Sequence, residues 1–253
     1  MKLGRNKKQA TAPQDEWAER LARRWSTVPA GKDRRSTHEL AFLDDDALLL
    51  FWRGIRDAEG AEDERGWYRE RYREFVQGKH LLDIGCGLAL DTLTFAEWGA
   101  ARVTCADLAP SNLRLVSRVA RLLGVGDRVE TFHLESPEAV SRLPHDLDAI
   151  FALGSLHHAP REIVEPEVRE LGTHLKPGGH WLQLAYPKAR WEGDGSPPFE
   201  RWGEYTDGYG TPWAEWYDTA KLLDLLAPTQ FEVVFEHDWH DHEFNWMELR
   251  RTG

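Results

Sequence analysis

Only two cysteines, Cys86 and Cys105, stand in 253 residues. They cannot build a disulfide framework or a four-thiolate zinc site, and no metal is assigned from the sequence. No apolar run approaches the roughly 18 residues of a membrane-spanning helix. The N-terminus, "MKLGRNKKQATAPQDEWAER", lacks the apolar centre of a secretory signal. A cytoplasmic setting without membrane contact is the resulting expectation. Internal repeats are absent, and length and composition suit one large domain. Positive charge is scarce: 32 Lys and Arg against 43 Asp and Glu leave a formal net charge of -11. That balance disfavours a general nucleic-acid binder, which must neutralise phosphates. The shortage is uneven, because basic residues outnumber acidic ones over residues 1–35. This basic arm reads as a solvated, partly disordered tail, with contact to an anionic partner as the alternative.

The remaining chain alternates short apolar runs with segments of helical period. "HLLDIG" (80–85), "RVTCADL" (102–108), "RVETFHLES" (128–136), "LDAIFAL" (147–153) and "HWLQLAY" (180–186) read as strands. "LDTLTFAEWGA", "APSNLRLVSRVARLLGVG" and "REIVEPEVRELGTHL" read as the intervening helices, the last kinked or late in starting at Pro166. "KPGG" reads as a turn before the fifth strand. This rhythm predicts an α/β fold with a doubly wound, mostly parallel sheet. Ligands of such sheets bind beyond the carboxyl ends of the strands.

The first strand runs into Asp83, Gly85 and Gly87. Two glycines there permit a tight turn and a close approach of a ligand to the backbone. A plain structural loop could use them too. Asp107, at the end of the second strand, is placed to accept hydrogen bonds from two ribose hydroxyls. A dinucleotide fingerprint lacks its third glycine, because that position is Leu90, and the Gly-Lys-Ser/Thr ending of a phosphate loop is also missing. Asp83 would repel a pyrophosphate and would suit a ligand carrying a cationic amino group.

In the order and spacing of "LLDIGCG", "VTCADLAPSNL", "VETFHLES", "LDAIFALGSLHHAP" and "LKPGGHWLQL", the chain resembles the class I S-adenosylmethionine-dependent methyltransferases, small-molecule type, over roughly residues 65–186. The resemblance implies a Rossmann-like seven-stranded sheet ending in an antiparallel hairpin, with S-adenosyl-L-methionine as cofactor and S-adenosyl-L-homocysteine as product. It implies that Asp83, Gly85, Cys86 and Gly87 surround the methionine part. Asp107 would hold the ribose, Leu108 would pack on adenine, and Glu135 would face the adenine amino group. Ala152 and Leu153 would line the cofactor near its methionine part.

"GSLHHAP" holds His157 and His158 where acceptor should meet cofactor. Either could be a general base, since histidine titrates near neutrality; either could instead brace the loop. His237, His240 and His242 form a C-terminal cluster that reads as a metal site or as hairpin-edge residues. Residues 187–218 form a long segment rich in glycine and tryptophan, read as a lid over the acceptor. Tyr186, Trp202, Tyr205, Trp213, Trp216 and Tyr217 are candidate acceptor walls, or the filling of a satellite core. Within 36–78, two segments read as amphipathic helices; the resemblance implies that they cover the site, with Trp52, Arg53, Trp67 and Tyr72 as candidates, and ordinary helix packing is the alternative role for each. The domain plan is therefore an arm (1–35) and one domain (36–253): cover helices to 78, a cofactor-binding core from 79 to 186, the lid, and a final helix and strands from 219.

The chain lacks the Asp/Asn-Pro-Pro-Tyr/Phe motif of base-amine methylation and the Pro-Cys of cytosine methylation. With the acidic balance, this favours transfer to oxygen or nitrogen of a small-molecule acceptor. A protein- or RNA-directed enzyme using the basic arm, and a cofactor-binding module without turnover, are the alternatives. The sequence leaves the oligomeric state open.

Overall fold

The computed structural model describes residues 13–28 and 35–253. In chain order the elements begin with α1 (Pro13–Thr27), α2 (Thr37–Ala41), α3 (Asp45–Glu59) and α4 (Trp67–Tyr72). Then follow β1 (His80–Ile84), α5 (Leu90–Glu97), β2 (Arg102–Asp107), α6 (Pro110–Leu122), β3 (Val129–His133) and β4 (Leu147–Leu153). Next come α7 (Arg161–His174), β5 (Leu175–Ala185), α8 (Lys188–Gly193) and α9 (Phe199–Asp207). The chain closes with α10 (Thr219–Leu226), β6 (Phe231–Trp239) and β7 (Phe244–Arg251).

Local chemistry sets several boundaries. Ser36 and Glu39 form a reciprocal capping box at α2. Asp44 and Asp218 accept from the first-turn amides of α3 and α10, and Pro110 opens α6, where its missing N–H costs nothing. The strands form one sheet in the order β3-β2-β1-β4-β5-β7-β6. The first five are parallel, and β7 pairs antiparallel with both β5 and β6. Order reverses between β1 and β4, so their carboxyl ends diverge into a crevice. The register puts Asp83 beside Cys105 and Asp107 beside His133, which brings both acids to that end of the sheet.

Each face of the sheet carries its own apolar layer. Leu93, Phe95, Val116, Val119, Trp52 and Trp246 belong to one, and Val164, Val168, Leu171, Leu222, Leu225 and Trp181 to the other. The central strands are buried on both faces, which explains their near-continuous apolar runs.

Four expectations are corrected. The basic arm is not a free tail over its described part: residues 13–27 are helical and bury Leu21. Residues 1–12 and 29–34 of that arm lie outside the described residues. The segment 187–218 is no open loop but holds α8 and α9. Strand β5 begins at Leu175, taking in "KPGG", and its pairing with β4 is irregular there. Pro166 neither kinks α7 into two helices nor delays its start, since α7 runs unbroken through it.

Candidate active site

The turn after β1 is built on backbone that L side chains rarely adopt. Gly85 has φ +71° and Gly87 φ +53°. A Cβ added at Gly85 would come within 2.4 Å of the Ser155 Cβ. The β1 and β4 exits therefore touch, and the Ser155 hydroxyl donates to the Ile84 carbonyl at 2.7 Å. Glycine at this position is a steric requirement.

Asp107 is oriented by three donors. Gly87 N–H reaches its Oδ2 at 2.9 Å, Ala109 N–H its Oδ1 at 2.7 Å, and Asn112 Nδ2 its Oδ1 at 3.3 Å. Burial raises its pKa, and the bonds from Ala109, Gly87 and Asn112 oppose that rise. Asp83 is more desolvated. Burial pushes its carboxyl up to about 7, although the Thr92 hydroxyl donates to it. A bound ammonium would supply the missing countercharge.

Near Asp83, Arg69 Nε donates to Asp91 at 2.5 Å, and Arg65 lies 3.1 Å from Glu59 and 3.5 Å from Asp91. Beyond β4, the turn Leu156–His158 buries both histidines. His157 is 1% exposed, and among the described residues neither ring nitrogen has a hydrogen-bond partner. Burial, then the neighbouring His158 and Arg190, hold its pKa well below the usual histidine value, so the ring is neutral. His158 is engaged: Nδ1 pairs with the Trp213 carbonyl at 3.1 Å, and Trp25 lies against its ring. Tyr186 packs 4.5 Å from His157 between ring centroids and donates its hydroxyl to Asp207, 2.9 Å from Oδ2.

The glycine turn, Asp83, Asp107, both histidines and Tyr186 line one cavity of about 300 Å³. Of the expected cofactor residues, Asp83, Gly85, Cys86, Gly87, Asp107, Leu108 and Leu153 line it, as do His157, His158 and Tyr186. Ala152 does not; it is fully buried in the layer beneath the sheet. Glu135 does not either. Its carboxylate turns outward to Arg142 at 2.6 Å, where both side chains are exposed.

Of the expected aromatic acceptor walls, Tyr186 lines the cavity and the other five do not. Trp202 is fully buried in a satellite core with Tyr186 and Ala214, its Nε1 donating to Asp194 at 2.8 Å. Tyr205 is 64% exposed. Trp213 packs on Trp17 and Phe199, Trp216 lies under the Lys221 ammonium, and Tyr217 is buried beneath the sheet. Among the cover candidates, Trp52 donates to the Leu88 carbonyl, Trp67 packs against Trp239 and Trp246, Tyr72 donates to Glu248, and Arg53 is exposed. His237 packs on Trp67, His240 approaches Glu64, and His242 pairs with Asp238. Among the described residues, no group of three or more His, Cys, Asp or Glu is placed to hold a metal. None of their helices is long and apolar enough to cross a membrane.

Sequence reasoning missed a whole wall. Ala18, Leu21 and Trp25 of α1 close the cavity, and Arg24 clasps α1 to the Asp207 carbonyl at 2.6 Å and the Thr211 hydroxyl at 3.0 Å. The spacing of Trp17, Leu21 and Trp25, four residues apart, was a legible helical stripe. Glu59, Arg65, Asn112, Ser155, Glu167 and Asp207 also line the cavity or orient its acids, and no local motif marks them.

Residues 81–179 match the family model described as "Methyltransferase domain". The chain carries a methyltransferase domain. This domain is similar to the ubiquinone biosynthesis O-methyltransferase of Nitrosospira multiformis, 34% identical over 116 residues, covering 46% of this chain and 45% of that protein. The chain spans between 31% and 45% of the length of the curated relatives it matches. In fold it is similar to the geranyl diphosphate C-methyltransferase of Streptomyces coelicolor A3(2), with TM-score 0.62, 15% identity, and coverage of 96% of this chain and 100% of that one. The [4+2]-cyclase SpnF is also similar, with TM-score 0.52, 18% identity, and coverage of 72% and 80%. A methyltransferase fold thus also occurs in a protein named for a cyclisation, and the chemistry here must be argued from the site.

Proposed function

We propose that this protein transfers a methyl group from S-adenosyl-L-methionine to an oxygen or nitrogen of a small molecule. The observation that carries the reading is the continuity of the cavity. It joins the glycine turn and Asp107 at one end to the unpartnered, neutral His157 at the other. The residues fit the cofactor. The glycine turn brings its backbone to the methionine part, desolvated Asp83 suits its ammonium, and oriented Asp107 suits its ribose diol. When bound, the cofactor supplies an electrophilic methyl on a sulfonium and departs as S-adenosyl-L-homocysteine.

The chain's own work is positioning and proton handling. Closure by α1 and the walls around His157 exclude water and align the acceptor, which supplies much of the barrier reduction. The free nitrogen of neutral His157 accepts the proton that a hydroxyl or amine loses. Tyr186 and the Asp207 that holds it shape the wall beside that ring. An enzyme of bacterial specialised metabolism fits the excess of arginine over lysine, which suits a high-GC bacterium.

Calorimetry with S-adenosyl-L-homocysteine and with a nicotinamide dinucleotide tests the cofactor. Micromolar binding of the first and none of the second is expected, and the reverse would overturn the assignment. Incubation with S-adenosyl-L-methionine and a panel of phenols and amines should then yield products heavier by one methylene. Tight cofactor binding without any methylated product across the panel would favour a module without turnover.

A further inference from the structure

In the family resembled, the adenine amino group faces an acid after the third strand, which here is Glu135. Glu135 is committed elsewhere, exposed and paired with Arg142 at 2.6 Å. A different carboxylate reaches the cavity. Glu167 lies on α7, three residues beyond Val164 and four beyond Ile163, so the three share one helix face, and all three line the cavity. That face packs against the turn Pro137–Arg142, which follows β3 and contributes Val140 to the same wall.

The direction of the cofactor follows from its two anchored ends. The glycine turn takes the methionine part and Asp107 takes the ribose. The base must then extend past Leu108 into the part of the cavity walled by Leu134, Ser136, Val140 and Val164. Leu134, Val140, Val164 and Leu108 belong to one apolar cluster. Resting on the cofactor assignment above, we propose that Glu167, rather than Glu135, accepts the hydrogen bond from the exocyclic amino group of adenine.

Two observations support this. The arginines of its own helix, Arg161 and Arg169, pair with Glu165, and among the described residues no hydrogen bond or ion pair reaches the Glu167 carboxylate, so its oxygens are free to accept from a ligand. Desolvation with no compensating cation raises its carboxyl above the usual range; the side chain is only half-buried, which tempers the shift. A carboxylate left in an apolar wall costs free energy until a donor meets it, and an amino N–H is such a donor.

The test is binding, read by calorimetry, of two probes: S-adenosyl-L-homocysteine and its 6-oxo analogue S-inosyl-L-homocysteine. The analogue replaces the amino donor with a carbonyl acceptor. Wild-type protein should prefer the adenosyl compound by about 10- to 100-fold, as expected for a hydrogen bond to a charged group. In Glu167→Gln the amide can donate to the 6-oxo group, so the preference should collapse to within a few fold. Glu167→Met should weaken the adenosyl compound without rescuing the analogue, and Glu135→Gln should leave the preference intact. Unchanged discrimination in Glu167→Gln and Glu167→Met, or loss of discrimination only in Glu135→Gln, would overturn the role of Glu167. Failure of the wild type to bind S-adenosyl-L-homocysteine at all would instead overturn the cofactor assignment.

Discussion

Replacing Asp83 by Asn should stabilise the free protein while weakening its ligand, and the two effects should separate with pH. Burial lifts the Asp83 carboxyl from an ordinary 3.8 to about 7. The folded-state pKa is thus raised above the unfolded value. Between pH 3.8 and about 7 the folded chain keeps a proton that the unfolded chain has lost, so wild-type stability falls as pH rises through that window. At about 1.4 kcal/mol per unit, the penalty reaches on the order of 4 kcal/mol at pH 8 and about 2 kcal/mol at pH 5. These are ceilings, because the site relaxes and Thr92 can donate equally to an Asn oxygen. Asp83→Asn removes the ionisation, so its stabilisation should be larger at pH 8 than at pH 5 by about 1 to 2 kcal/mol. Denaturant titrations at the two pH values measure this. The same variant loses the countercharge for a cationic amino group, and S-adenosyl-L-homocysteine should bind about 10- to 150-fold more weakly at pH 8. A variant equally stabilised at both pH values would refute the desolvation argument. One that binds the ligand normally would refute the role given to the carboxylate.

His157→Ala should retain S-adenosyl-L-homocysteine affinity while losing about 10²- to 10⁴-fold in turnover on a hydroxyl or amine acceptor. Because the ring pKa is held well below 6.5, wild-type turnover at saturating cofactor should stay level as pH falls from 8 through 6.5; a sharp loss at 6.5 under saturation would mean the ring titrates normally. Trp202→Ala should cost about 3 to 5 kcal/mol of stability, as for an aromatic removed from a closed core, with acceptor KM unchanged in the surviving folded protein. A specific rise in KM at undiminished stability would restore Trp202 to the acceptor wall. Arg24→Ala breaks the clasp of α1 on residues 207–211, worth about 1 kcal/mol for a partly exposed pair of bonds. Hydrogen exchange should quicken about fivefold at 13–27 and 207–211 and stay unchanged in β1 and β4.

Strand and helix order, the parallel sheet and the acids at two strand ends were all legible along the chain. They depend on local facts: apolar runs of strand length, helical spacing, and glycine where β1 must turn without a Cβ. Asp107 follows from position alone, since the last residue of β2 must face the crevice. The direction of Glu135 could not be read this way. Arg142 lies seven residues downstream and draws it outward only because the 137–142 turn folds back. Nor could the aromatics of 187–218 be sorted. Composition does not distinguish a wall from a core, and the folding of α9 onto Tyr186 buries Trp202 but leaves Tyr205 in solvent. Arg24 meets Thr211 across 187 residues, and Glu167 joins the cavity because α7 crosses the turn after β3. By itself, the sequence determined the sheet, its order of elements and the crevice that receives a ligand, because these arise from short-range periodicity and backbone sterics. The tertiary structure alone decided which side chains close that crevice, because those depend on packing between distant segments that no local pattern encodes.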